Sequence, residues 1–317
     1  MNVKKWLLSL THSRRAGALV GLFLLCALLS ALSPFFLTPS NLMNVMEQTA
    51  INAVIAVGMT FVILSAGIDL SVGSITALSG VVLANRLQAG WGLGPSLVAG
   101  VVTGALCGLL SGLLITRGKL PPFIATLGMM SMARGAALLF TDGRPISGFD
   151  ESLRFLSTGR LAGVPVPVLL TIVLYALAIV LLNRTRFGRY VYAIGGNEEA
   201  TRLSGVTVHF HKTAVYVLSG VTAALASILL TARLNSAQPI AGMMYELDAI
   251  AAVVIGGTSL TGGLGTLGGT LIGALTMGVL RNGLNLLGIS SFLQQIVIGF
   301  VIIVAVLTDS LVKSKRR

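Results

Sequence analysis

Residues 43–90 read MNVMEQTAINAVIAVGMTFVILSAGIDLSVGSITALSGVVLANRLQAG. Two apolar runs, 43–66 and 72–90, each approach the roughly 20 residues a helix needs to cross a hydrocarbon core. They run together through GIDLSVGS, where Gly67, Ser71, Gly73 and Ser74 can end one helix and start the next. Glu47, Asp69 and Arg86 are the ionisable residues of the stretch, and Asp69 stands at the break itself. A water-soluble helix would need a polar face here, and none is present. The expected fold class is an all-α, polytopic integral membrane helix bundle.

The same reading extends outward to further apolar segments at 16–33, 95–116, 122–141, 164–182, 213–232, 248–260, 266–287 and 289–308, giving about ten spans. The 248–260 segment is short and interrupted by glycine, so eight or nine crossings remain open. The first segment lacks a clear small-x-small cleavage site after it and is not read as a signal peptide. Composition agrees: 55% of the residues are hydrophobic and 10% charged, against about 25% charged in soluble domains. This excludes a soluble enzyme, a disordered chain and a secreted disulfide scaffold. Cys26 and Cys107 lie in separate apolar runs and make neither a disulfide framework nor a metal site.

The net charge is +12. In a soluble protein such an excess would point to nucleic acid; here its placement records topology. Lys4, Lys5, Arg14 and Arg15 precede the first span, and Lys313, Lys315, Arg316 and Arg317 follow the last. Arg117 and Lys119 mark the 117–121 turn, and the 183–212 loop carries Arg184, Arg186, Arg189, Arg202 and Lys212. The 142–163 loop instead balances Arg144, Arg154 and Arg160 with Asp142, Asp150 and Glu151. The positive-inside rule puts both termini and the 183–212 loop in the cytoplasm and the 142–163 loop outside. An even number of crossings satisfies all of this, and no nucleic-acid partner is expected.

Glycine recurs every four residues at Gly100, Gly104, Gly108 and Gly112, and again at Gly265, Gly269 and Gly273. Small residues at that spacing let helices approach closely, within one subunit or between two. The break at 67–73 has a counterpart, Gly257-Thr-Ser-Leu-Thr-Gly-Gly263, and both fit G-x-x-L-[ST]-x-G. Paired interruptions in two halves can mark an internal repeat around a transport path. Gly67, Asp69, Ser71, Gly73, Gly257 and Thr261 are therefore candidates for the path or for the helix breaks. Asp69 admits two readings, a cap for the break or a group that touches solute or a coupling ion.

Catalytic motifs are wanting. Gly263-Leu-Gly-Thr-Leu-Gly268 fits G-x-G-x-x-G, but no acidic residue follows within 269–288 and no strand is expected before it. No G-x-x-x-x-G-K-[ST] occurs, so the chain has no P-loop for nucleotide phosphates. His12, His209 and His211 lie in basic stretches, and the 209/211 spacing is not that of a helical metal pair. Neither an enzymatic activity nor a bound metal is expected.

The stretch 183–212 reads NRTRFGRYVYAIGGNEEATRLSGVTVHFHK. Its centre has the grammar of a short helix: Asn197 as N-cap, Glu198 and Glu199 in the first turn, Arg202 later, and Gly205 as the stop. Gly195-Gly196 is expected to permit a sharp turn just before it. Such a helix, displayed beneath a bundle, suits docking in a partner's groove, the alternative being a plain connector.

GRYVYAIGGNEEATRLSGV resembles the cytoplasmic signature of permeases of bacterial ATP-binding-cassette importers for monosaccharides. INAVIAVGMTFVILSAGIDLSVGS from Ile51, PFIATLGMM from Pro122, SAQPIAGMMYELDAIAAVVIGGTSLTGG from Ser236 and RNGLNLLGISS from Arg281 agree with it. The resemblance covers nearly the whole chain after about residue 32. It implies a single permease domain over 1–317, related to the vitamin B12-type (type II) importers and paired with a second copy as a homodimer. It also implies a separate cytoplasmic double-cassette ATPase holding ATP and Mg, and a periplasmic sugar-binding protein, with ribose the expected solute. On that template Gly195, Gly196, Asn197, Glu198, Glu199, Thr201 and Arg202 form the coupling element against the ATPase. Glu246 and Asp248, with Asp150 and Glu151, are expected to guide docking of the binding protein on the outer face. The rival expectation is an ion-coupled secondary sugar transporter with Asp69 as its coupling acid.

Overall fold

The computed structural model describes residues 14–314, with side chains from 16 to 307. Lys4, Lys5, Lys315, Arg316 and Arg317, on which the inward-facing termini partly rest, lie outside the described residues. The side chains of Arg14, Arg15 and Lys313 do so too.

Thirteen helices run through the described residues. They begin with α1 (Arg14–Leu32), α2 (Pro39–Leu64), α3 (Val72–Gln88), α4 (Leu93–Thr116) and α5 (Pro122–Thr141). A short α6 (Glu151–Thr158) precedes α7 (Val166–Arg184), and α8 (Arg186–Gly196) and α9 (Glu198–Leu203) precede α10 (Val208–Leu234). The chain ends with α11 (Tyr245–Ile255), α12 (Leu267–Leu286) and α13 (Ser291–Ser314). Each of the apolar segments expected to span coincides with one of these helices. By length and apolarity, α2, α4, α5, α7 and α10 qualify to cross a membrane, which makes this a multi-pass membrane protein. The segment expected at 248–260 departs most: α11 has 11 residues, roughly 16 Å, and ends at Gly256.

Helix ends follow local chemistry. Thr38 caps α2 by accepting from the Asn41 amide, with Pro39 preset for the first turn. α5 ends on Asp142 and α10 on Asn235, both in the left-handed region at φ 48°. Four two-residue strands add small clasps. β1 (Ile146–Ser147) pairs antiparallel with β4 (Ser236–Ala237), tying the 142–163 segment to the exit of α10. β2 (Arg160–Leu161) and β3 (Val164–Pro165) form a hairpin whose turn, Ala162-Gly163, has both φ values positive. The charge-balanced 142–163 segment and the basic 185–212 segment lie at opposite ends of α7.

At the centre is α2, whose residues from Ile55 to Leu64 are wholly buried. It is hydrophobic all round because protein surrounds it on every side. α5 and α7 instead leave Leu139 (82%) and Leu177 (64%) exposed, as lipid-facing helices do.

The glycine ladders serve contacts within the chain. A Cβ at Gly104 would strike the Gly220 carbonyl, one at Gly108 the Tyr216 carbonyl, and one at Gly112 the Thr213 backbone, all on α10. Gly269 and Gly273 meet the carbonyls of Gly256 and Ala252 in the same manner. Backbones that touch cannot yield as side-chain tips do. Gly108→Ala is therefore expected to cost about 1–3 kcal/mol by overpacking. Gly128→Ala, on α5 where a Cβ meets open space, should be neutral or slightly stabilising, because alanine favours helix. Thermal unfolding of the two variants in detergent checks the contrast.

Candidate functional site

Three separate parts of the sequence converge at one point: the end of α2, the end of α8, and the break between α11 and α12.

The first break follows Leu64. The Gly67 amide bonds back to the Val62 carbonyl at 2.9 Å, ending α2, and a Cβ at Gly67 would meet the Tyr216 hydroxyl. Asp69 is 0% exposed. Its Oδ1 accepts from the Ser71 amide at 2.9 Å and the Ser71 hydroxyl at 2.5 Å, and its Oδ2 accepts from the Ser219 hydroxyl of α10 at 2.7 Å. A carboxylate with donors on both oxygens, one of them the amide that opens α3, is capping the break. Gly73 is buried against the Gly242 carbonyl and the Glu246 carboxylate, so no side chain fits there. Gly67, Asp69, Ser71 and Gly73 thus build a packed, buried interruption.

The second break runs from Gly256 to Thr266. Gly257, Gly262 and Gly263 take φ values of 88°, 84° and 71°, which glycine alone adopts without strain. The Ser259 and Thr261 hydroxyls lie 2.9 Å apart, and Thr266 caps α12 by accepting from the Gly269 amide. Gly257 is half-buried and Thr261 exposed. The two breaks touch: the Gly263 amide donates to the Leu64 carbonyl at 3.0 Å.

The basic loop closes on the same spot. α8, capped at Thr185, brings Gly195 against the Leu64 carbonyl and the Gly263 amide, and the Tyr192 hydroxyl donates to the Gly265 carbonyl at 2.8 Å. Asn197, extended at φ −160°, then caps α9 by accepting from the Ala200 amide at 2.9 Å. Glu198 and Glu199 occupy the first turn of α9 and pair with Lys212 at 2.9 Å and Arg202 at 2.6 Å. Gly205 turns the chain away at φ 84°. Glu198, Glu199, Arg202 and Leu203 (79%) present an exposed face.

Two expectations for this loop need correction. Gly195 and Gly196 do not form a turn; both are helical, and the direction changes at the extended Asn197. Gly195 is glycine because two backbones leave it no room, whereas Gly196 faces open space. Thr201 is also no surface contact: it is 7% exposed, and its hydroxyl donates to the Asn197 carbonyl at 2.7 Å. Gly195 and Thr201 hold the loop in place, leaving Gly196, Asn197, Glu198, Glu199 and Arg202 on its outside.

At the other end of the molecule, Asp150 stands at the N-cap position of α6 without a side-chain capping bond, and is exposed together with Glu151. Asp248 is not a surface charge: at 3% exposure it takes a bidentate bond from Arg281 Nη2 at 2.9 and 2.7 Å and a longer one from Asn52 at 3.4 Å. Glu246 is half-buried beside the start of α3. Of these four acidic residues only Asp150 and Glu151 present open charge, because Asp248 is buried and Glu246 is partly shielded. Arg134 of α5 donates to the carbonyls of Pro239 at 2.6 Å and Ala241 at 2.7 Å, clamping the segment before α11. Ser219, Tyr192 and Arg134 were not among the expected site residues. Arg134 and Arg281 carried one signal, a charge within an apolar helix.

Residues 41–306 match the family model described as "Branched-chain amino acid transport system / permease component". The chain is 51% identical over 298 residues to the ribose import permease protein RbsC of Bacillus subtilis (strain 168), covering 93% of this chain and 92% of the relative. It is 40% identical over 300 residues to the D-allose transport system permease protein AlsC of Escherichia coli (strain K12), covering 93% and 91%. With the L-arabinose ABC transporter permease protein AraH of Azospirillum brasilense it shares 36% over 303 residues, covering 96% and 89%. No solved structure matches it. A mostly helical membrane chain whose two interrupted helices meet over a capped loop, and which matches that family along most of its length, belongs to the transport-system permease components that the family model describes.

Proposed function

We propose that the chain is the membrane-spanning permease of an ATP-binding-cassette importer, passing a monosaccharide, ribose first, across the bacterial inner membrane. The single observation that carries this reading is the junction of Leu64, Gly195 and Gly263. Through it, a loop with an exposed charged face is fastened to both helix interruptions. A push on α9 from below is thereby delivered to the breaks between α2 and α3 and between α11 and α12. The sugar follows from the relatives, whose names speak of ribose, allose and arabinose.

The whole chain acts as one permease domain with about ten crossings, in the arrangement of the vitamin B12-type importers, with both termini and the 183–212 loop in the cytoplasm. Two copies form the pore and a double-cassette ATPase docks beneath them, holding the ATP and Mg that this chain does not bind. A periplasmic binding protein delivers the sugar to the face carrying Asp150 and Glu151. ATP-driven closure of the ATPase moves the coupling loops as levers, and the central path changes its open side.

A role for Asp69 as the coupling acid of a secondary transporter is not favoured, because both of its oxygens are spent on Ser71 and Ser219. Reconstitution tests the choice. Proteoliposomes holding the permease alone should take up no ribose under a proton or sodium gradient, and uptake should appear when the ATPase, ATP and binding protein are supplied. Asp69→Asn, which keeps an acceptor for the Ser71 amide, should retain most of that uptake. Gradient-driven uptake by the permease alone, abolished in Asp69→Asn, would establish the rival.

A further inference from the structure

Between the C-terminal half of α4, the N-terminal half of α10 and the connector from α9 lies a groove of about 650 Å³. Leu109, Leu113, Phe210 and Val217 make its wall apolar, and Phe210 is 66% exposed. Arg117, one residue past the end of α4, stands at its mouth with Arg202 and His209. No carboxylate lines it. Arg202 gives one nitrogen to Glu199, while Arg117 is exposed and has no ion-pair partner among the described residues.

Both walls are helices long and apolar enough to cross a membrane, and the cations collect where those helices end. That is the level at which hydrocarbon gives way to headgroups. An apolar trench headed by unneutralised arginine matches an amphiphile with an acyl chain and an anionic head. A free phosphate would leave the wall unused, and a zwitterionic lipid brings a cation beside its phosphate that offsets the attraction to Arg117. We infer that this groove binds an anionic phospholipid, its phosphate at Arg117 and its chain along Leu109, Leu113 and Val217. The lipid would also touch Val206 and Thr207, which join α9 to α10, and Val208 at the start of α10, and so brace the coupling loop from the membrane side.

The inference rests on α4 and α10 crossing the membrane, and not on which solute is carried. Its test uses the full permease with its ATPase, reconstituted with Phe210→Trp as reporter. Brominated phosphatidylglycerol diluted into phosphatidylcholine vesicles should quench the reporter about fivefold more effectively than brominated phosphatidylcholine, the discrimination of one basic residue near an anionic head. Arg117→Gln should abolish the preference, and Ala214→Trp, which fills the trench, should abolish quenching of a label at Phe210 by either lipid. Lys119→Gln removes a charge two residues away, outside the groove, and should leave the preference intact. Equal quenching by the two lipids, or loss of preference in Lys119→Gln as readily as in Arg117→Gln, would overturn the site. So would its displacement by inorganic phosphate alone. Quenching by neither lipid would overturn both the site and the placement of α4 and α10 in the membrane.

Discussion

Gly195→Val is expected to cut ATP-coupled sugar import severely, and Gly196→Ala to leave it close to normal. The two residues are neighbours, both helical and both glycine, so propensity alone would treat them alike. Their surroundings differ. A Cβ at Gly195 would overlap the Leu64 carbonyl and crowd the Gly263 amide, whereas nothing lies within 4 Å of one at Gly196. Overpacking against side chains costs about 1–3 kcal/mol, and the neighbours here are backbone that cannot rotate aside. The 3.0 Å bond from the Gly263 amide to the Leu64 carbonyl occupies the same space, and breaking it strands two polar groups at about 1–3 kcal/mol more. The cheapest escape is for α8 to lift away, which separates the lever from both helix breaks. Import per unit of membrane-inserted protein should fall more than about tenfold, since 1.4 kcal/mol is already tenfold in an equilibrium. Quantified immunoblots set beside ribose uptake separate lost coupling from lost protein. Normal uptake per inserted Gly195→Val molecule would sink the lever assignment.

The contrast also shows what could be read in the sequence. Apolar length placed the expected segments on helices, 248–260 only in part, because the membrane leaves the backbone little choice. Local grammar placed the Asn197 cap, the acidic first turn of α9 and the stop at Gly205, since each is settled within a few residues. The capping reading of Asp69 was open for the same reason, through Ser71 two positions on. Gly195-Gly196 is ambiguous in the sequence because glycine serves two ends, free rotation and close approach, and only the neighbour in space decides between them. The likeness of GIDLSVG to GTSLTGG is visible, but not that the two breaks bond to each other between Leu64 and Gly263, 199 positions apart. Asp248 was placed on the surface because its partner Arg281 lies 33 positions away.

Arg281→Ala is expected to be strongly destabilising, and Asp248→Asn only mildly so. The pair is lopsided: the Asp248 side chain is 3% exposed and that of Arg281 39%. Removing the arginine leaves a carboxylate among apolar helices with only the 3.4 Å contact to Asn52. Breaking a buried pair in this way costs about 3–5 kcal/mol, and the partial exposure of Arg281 puts the value near 3. Removing the charge of Asp248 leaves an arginine that can turn its head toward water along its own flexible stem, at a cost of about 1 kcal/mol. A surface ion pair would give equal, small and salt-sensitive losses instead. The double variant Asp248→Asn with Arg281→Gln restores a neutral hydrogen-bonded pair and should recover most of what Arg281→Ala loses. Thermal unfolding in detergent at low and high salt measures all of these. Additive losses, or losses that vanish in high salt, would mean that Asp248 is solvated after all. The first turn of α11 would then be open to the docking role that its burial now denies it.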